Sequence, residues 1–295
     1  MDKYQRIDFR DQISKNKRKS FFLILIVLVF IVALGYVISM AFSPMYFTMI
    51  MIIAIIFSIL YIVVSYYNSH KIAVAAVGAK KASREKHKMF FDLVEGLTIA
   101  SGLPMPKLYV MPSAQINAFA SGRDPKHAVI CVTQGCLDRL ERRELEGVLA
   151  HELGHVGNYD IRYITLVAVM VGMVAIISQI FLRSLLFGGG RGGDKKNMIF
   201  IIIGIALAIL APIVVYLVQM SISRKREYSA DATAVKFTRY PEGLIRALEK
   251  IKHEHAPAEK KVNKAVAPLF FANPFKNLAR THPKIDDRIK ALKRM

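Results

Sequence analysis

The sequence predicts an integral membrane protein of the α+β class, in which four membrane-crossing helices join a polar domain with a small antiparallel sheet and a long helix. Three observations predict it. Hydrophobic residues fill 54% of the 295 positions, more than a soluble chain ordinarily carries. Four stretches, residues 21–42, 45–66, 163–182 and 198–223, hold no charged side chain, and each reaches the roughly 20 residues a helix needs to cross about 30 Å of hydrocarbon. Of the two polar stretches left, 68–160 and 224–295, the first mixes helical spacing with short strand-like runs.

Residues 1–20 form a basic segment holding Lys3, Arg6, Arg10, Lys15, Lys17, Arg18 and Lys19. The first hairpin of spans, 21–67, turns at the uncharged Ser43-Pro44. Its first span is too long for a signal peptide and lacks the small-residue cleavage site, so it reads as a retained anchor. The charge difference across this span places the N-terminus in the cytoplasm of a multi-pass cell-membrane protein. Two crossings return the chain to that side, where Lys71, Lys80, Lys81, Arg84, Lys86 and Lys88 follow. Residues 68–160 are the first part of the cytoplasmic domain, 161–223 the second hairpin, and 224–295 the second part, opening on Arg224, Lys225 and Arg226. The loop 183–197 carries Arg183, Arg191, Lys195 and Lys196 against Asp194 on the expected outer side, and the N-terminal and juxtamembrane totals outweigh it. Lys and Arg number 42 against 22 Asp and Glu; this excess reads as charge facing anionic lipid, with no nucleic-acid partner.

Within the cytoplasmic domain, Met89, Phe90, Leu93 and Leu97 give residues 84–100 helical spacing, closed by Ser101-Gly102 and Pro104. Strand-like runs follow at 107–111, 115–120 and 128–133, separated by Pro112-Ser113 and by residues 122–125, and predict the antiparallel sheet. From Gly135 one helical pattern continues through Leu137, Leu140, Leu145, Val148 and Leu149 to about Gly157. Cys131 and Cys136 read as buried thiols in a reducing compartment, since their spacing misses that of zinc knuckles.

Near the end of that helix, residues 151–155 spell HELGH. A separation of four stacks His151 and His155 on one helical face, where both can ligate one ion, and Glu152 on the same turn can act on a water there. Zinc with three protein ligands keeps a fourth position for water, and a carboxylate commonly completes a histidine pair. Just past the last span, Glu227 and Asp231 stand four apart on one side of a helix. Glu227 is assigned to the metal, and Asp231 to orienting a ligand histidine through its free N–H. Asn158 and Asp160 read as a polar cap between helix and span, and His70, His87, His127, His253 and His255 as surface residues.

Four ordered motifs, PKLYVMPSAQINAFASG (106–122), LEGVLAHELGHVGNYD (145–160), REYSADATAV (226–235) and THPKIDDRIKAL (281–292), together resemble the HtpX-type membrane zinc metallopeptidases, relatives of the CAAX prenyl endopeptidases. The resemblance covers most of the chain. It implies a gluzincin-like zinc protease domain with one Zn2+ bound by His151, His155 and Glu227, and Glu152 as catalytic base. It also implies that the strand bearing Asn117, Ala118 and Phe119 offers its edge to an extended substrate, and that His282 and Arg288 lie near the cleft. Read from the residues alone, Asn117 is equally a polar strand residue and His282 a cap before Pro283; Arg288 either pairs with Asp231 or is solvated.

These residues together predict a membrane-anchored zinc endopeptidase. The charged residues Asp138, Arg139, Glu141, Arg142, Arg143, Glu144 and Glu146 ahead of HELGH disfavour a cut inside the bilayer. Protein or peptide substrates, misfolded membrane proteins among them, are therefore cleaved at the cytoplasmic face, and the resemblance points to envelope quality control under stress. Self-association and self-cleavage are open to such a chain. The alternatives are a CAAX-type prenyl-protein endopeptidase and a catalytically silent membrane scaffold; a transporter is disfavoured by the lack of ionisable residues in the spans.

Overall fold

The computed structural model describes residues 47–166, 224–254, 270–271 and 283–295, with Gly204 and scattered positions between 14 and 45. Among the described residues one helix is long and apolar enough to cross a membrane, α1 (Phe47–Tyr67), which corresponds to the second expected span. Ile52, Ile53, Ile56, Phe57 and Leu60 are all more than half exposed on it, a surface that calls for lipid or another apolar partner. The first expected span falls only in part on described positions, and those are helical. Apart from residues 163–166 and Gly204, the third and fourth lie outside the described residues.

After α2 (Ser69–Ala76) comes a four-stranded sheet built from β1 (Lys80–Lys81), β2 (Lys107–Met111), β3 (Ala118–Ser121) and β4 (Val129–Thr133), in the order β1-β2-β4-β3. β1 runs antiparallel to β2, but β2 and β4 are parallel, Leu108 facing Ile130, while β3 is antiparallel to β4, Ala118 facing Val132. The sheet is therefore mixed, where a wholly antiparallel one was expected. The cause lies in β4, which is buried at all five positions. A strand apolar on both faces belongs in the centre of a sheet, so the chain leaving β2 passes to the far edge as β3 and returns between the two.

Two helix boundaries also differ from expectation. α3 (Lys88–Ser101) starts about a turn later than residue 84, after a turn in which the His87 N–H donates to Ser83 O, and it ends on Gly102 at φ 70°. The long helix is two, α4 (Gln134–Arg139) and α5 (Arg142–Gly157). Thr133 caps the first by accepting the Cys136 N–H at 3.2 Å. Leu140 is extended, and a capping box between Glu141 and Glu144 starts the second.

α5 is the axis of the domain. Leu145, Val148, Leu149, Leu153 and Val156 on it are completely buried, and α6 (Arg224–Thr238) and α7 (Pro241–Lys252) both pack against it. α8 (Ile285–Leu292) rests on α6 and α7. The two polar stretches on either side of the second expected hairpin thus share one apolar core. Cys131 and Cys136 are both buried and free, and burial pushes the Cys136 thiol up to about 12. His70 does not lie at the surface as expected; it shares the buried face of α2 with Ser69, Ala73 and Val74.

Candidate metal centre

α5 carries His151, Glu152 and His155, and α6 lies along it and carries Glu227 and Asp231. The structure brings His151, His155 and Glu227 together with one donor atom of each within 4.8 Å of the others. His151 Nε2 stands 3.1 Å from His155 Nε2. The Glu227 carboxylate oxygens stand 3.7 Å from His151 Nε2 and 3.6 Å from His155 Nε2. Two ligands about 2.0–2.1 Å from a tetrahedral ion are separated by roughly 3.4 Å, so these three donors fit one ion with little movement. Two imidazoles and one carboxylate are the donor chemistry of a zinc site open to water.

Each histidine is held from behind by a carboxylate. Asp231 Oδ1 lies 2.9 Å from His151 Nδ1, and Asp160 Oδ2 lies 3.1 Å from His155 Nδ1. An Nδ1–H donated to its carboxylate leaves each Nε2 lone pair facing Glu227. Burial and the neighbouring Arg288 guanidinium bring the His151 pKa down to about 4, so the ring is neutral, as a ligand must be. Burial opposes charge on His155 too, but Asp160 and Glu227 outweigh it and raise its pKa to about 9. The pocket therefore favours a positive charge at that ring, carried by a proton on Nε2 that an ion bound there would replace.

Glu152 is buried on the turn between the histidines, and burial raises its pKa to about 7. The Ala120 backbone N–H on β3 lies toward its carboxylate and lowers that pKa in part, while Oε1 has no hydrogen-bond partner among the described residues. A buried oxygen left this way is placed to take a proton from a substrate or water.

Arg288 reaches in from α8. Its Nε and Nη2 donate to the two Asp231 oxygens at 2.9 and 2.7 Å, and its Nη1 lies 3.5 Å from Glu227 Oε2. Burial alone would raise the Asp231 pKa, but Arg288 and His151 hold it below the usual carboxylate range. The edge strand is more occupied than the sequence suggests. Asn117 is buried, its backbone tied to Thr133 and its Oδ1 accepting the Ala118 N–H at 3.0 Å. Ala118 O accepts the Phe271 N–H at 2.8 Å, and Phe119 pairs antiparallel with Phe270. His282 lies outside the described residues.

Two residues at the centre escaped the sequence reading. Asp160, read as a helix cap, is five positions past His155 and off its helical face, yet Tyr159 at φ 58° turns the chain back and places the carboxylate on the ring. Phe271 stands edge-on to the His151 ring at 4.8 Å, with the Arg288 guanidinium over it at 4.6 Å. Its distance along the chain hides that contact, whereas the acidic residue after HELGH was the available signal for Asp160.

The family model of peptidase family M48 matches residues 84–295. Among curated proteins the chain is similar to "Protease HtpX homolog" of Dictyoglomus thermophilum, 42% identical over 97% of this chain and 95% of that one. It is likewise similar to the homologue of the same description from Caldanaerobacter subterraneus subsp. tengcongensis, 43% identical over 95% of each chain. For the Listeria monocytogenes homologue the identity is 37%, over 97% of this chain and 99% of the relative. Among solved structures, S. mikatae Ste24p aligns with a TM-score of 0.49 and 20% identity, over 96% of this chain and 66% of that protein.

Proposed function

Because the chain belongs to peptidase family M48, and is by that membership a protease, we propose that it is a membrane-anchored zinc endopeptidase. In this reading it hydrolyses peptide bonds of misfolded or damaged membrane proteins at the cytoplasmic face. The observation that carries it is the convergence of His151, His155 and Glu227 beside the buried Glu152.

His151, His155 and Glu227 would hold the ion, which when bound lowers the pKa of water to about 7 and polarises the scissile carbonyl. Glu152 Oε1 accepts the proton of the attacking water and returns it to the departing amine. A carboxylate whose burial sets its pKa near 7 both accepts and releases protons readily at neutral pH. Asp231 and Asp160 keep the two imidazoles in the tautomer that presents Nε2. No covalent acyl-enzyme is required.

The charged first turns of α5 support an aqueous site next to the membrane, and the basic segments at 1–20, 71–88 and 224–226 support a cytoplasmic orientation. Once Phe270 and Phe271 release it, the main-chain edge at Ala118 and Phe119 would recognise extended chain with little sequence preference, which suits a protease of unfolded segments. The test is metal content of detergent-purified protein together with casein cleavage, with and without chelator. Bound zinc near one per chain and chelator-sensitive cleavage are expected. Protein that holds no metal and cleaves nothing would instead be the silent scaffold.

A further inference from the structure

We propose that Asn16 is a positioning residue for His155, acting through Asp160, so that the basic segment ahead of the first expected span is part of the metal site. The inference rests on the reading of His155 as a ligand. Asp160 is fully buried, and its two oxygens have different partners. Oδ2 meets His155 Nδ1 at 3.1 Å, and Oδ1 accepts from Asn16 Nδ2 at 2.7 Å. The same Asn16 amide donates to Asn158 O at 3.1 Å, so both of its N–H bonds serve the turn that ends α5.

Asn16 is itself only 4% exposed. Neighbouring contacts fix it there: Ser20 Oγ donates to Asn16 O at 2.9 Å, and Lys17 Nζ sits 4.6 Å over the Tyr159 ring. Tyr159 is the residue whose left-handed backbone turns Asp160 toward His155, a conformation that costs about 1–2 kcal/mol outside glycine and needs external support. A buried carboxylate also needs partners on both oxygens. Arg226 Nε lies 4.0 Å from Oδ1 and supplies charge there; among the described residues Asn16 is the donor within hydrogen-bond distance of that oxygen. Loss of Asn16 frees Asp160 to rotate, and His155 loses its fixed tautomer and angle.

The experiment uses the full-length protein in detergent, measuring zinc affinity by chelator competition and the visible absorption of the cobalt-substituted protein. Asp160→Ala should weaken zinc binding 10–100-fold, the order usual for the outer partner of a ligand histidine, and Asn16→Ala on the order of 10-fold. Asp160→Asn keeps an acceptor for the Nδ1–H but turns its amide N–H toward the Asn16 donor, so it should recover only part of the loss. The Asn16→Ala/Asp160→Ala double variant should bind no more weakly than Asp160→Ala alone, because Asn16 acts through Asp160. Should Asp160→Ala not fold, Asn16→Asp, which sets a second carboxylate against Asp160, must weaken binding more than Asn16→Ala. Wild-type affinity in the single variants, or losses that multiply in the double, overturns the link. Wild-type protein that binds no zinc would overturn the metal-site reading itself, a result distinct from either.

Discussion

Arg288 holds Asp231 by two hydrogen bonds, Nε to Oδ2 at 2.9 Å and Nη2 to Oδ1 at 2.7 Å, while the same Oδ1 lies 2.9 Å from His151 Nδ1. Both charges are almost wholly buried. Arg288→Ala leaves the Asp231 carboxylate without its cation, which costs about 3–5 kcal/mol in such settings. Arg288→Lys replaces a two-pronged grip by a point charge and should fall between. Melting temperatures of the three proteins in detergent check the order, wild type above Arg288→Lys above Arg288→Ala. Equal melting temperatures would mean that Asp231 is held by something else.

Glu152 and the three proposed ligands separate by what each loses. Glu152→Gln keeps the volume and the turn of α5 but removes the proton acceptor, so zinc content should match wild type while casein cleavage falls by about 10²–10⁴-fold. His151→Ala and Glu227→Ala should lose zinc together with activity. Elemental analysis run beside the cleavage assay decides it, and an active Glu152→Gln protein would remove Glu152 from the role of base.

The site was legible wherever local spacing alone brings residues together. HELGH sets His151 and His155 on one face because α5 is a regular helix there, and Glu227 and Asp231 obey the same four-residue rule on α6. What the sequence hid depends on chain reversals and long-range packing. Asp160 reaches His155 only through the left-handed Tyr159, and Phe271 and Asn16 arrive from distant segments. The direction of β4 was hidden for a similar reason: apolar content marks a central strand, but the path of the connection decides which neighbour runs parallel to it.

Close backbone packing sets the position of α5. A Cβ added to Gly147 would stand 2.6 Å from Leu244 N and 2.9 Å from Leu244 Cα on α7, backbone atoms with no rotamer to yield. Gly147→Ala should therefore force the helices apart at a cost of about 1–3 kcal/mol, and shift His151 one turn further along. Gly96, in the middle of α3, would meet nothing within 4 Å, and Gly96→Ala should stabilise by about 0.4–1 kcal/mol. Opposite shifts in melting temperature are the expected result; a harmless Gly147→Ala would show that α5 and α7 are farther apart.

The outer edge of β3 determines how an extended substrate can bind. One side of β3 is taken by β4, and on the other Ala118 O receives the Phe271 N–H while the Ala120 N–H lies toward the Glu152 carboxylate. A peptide that pairs with Ala118 must displace Phe271, because a single carbonyl cannot keep that in-line bond and serve a new strand in the same place. Binding of a non-hydrolysable peptide carrying a zinc-chelating group should then accelerate hydrogen exchange at the Phe271 amide relative to the free enzyme. If the amide keeps its protection, the peptide lies away from Ala118, and the assignment of Asn117, Ala118 and Phe119 to substrate binding gives way to the Ala120 end of the strand.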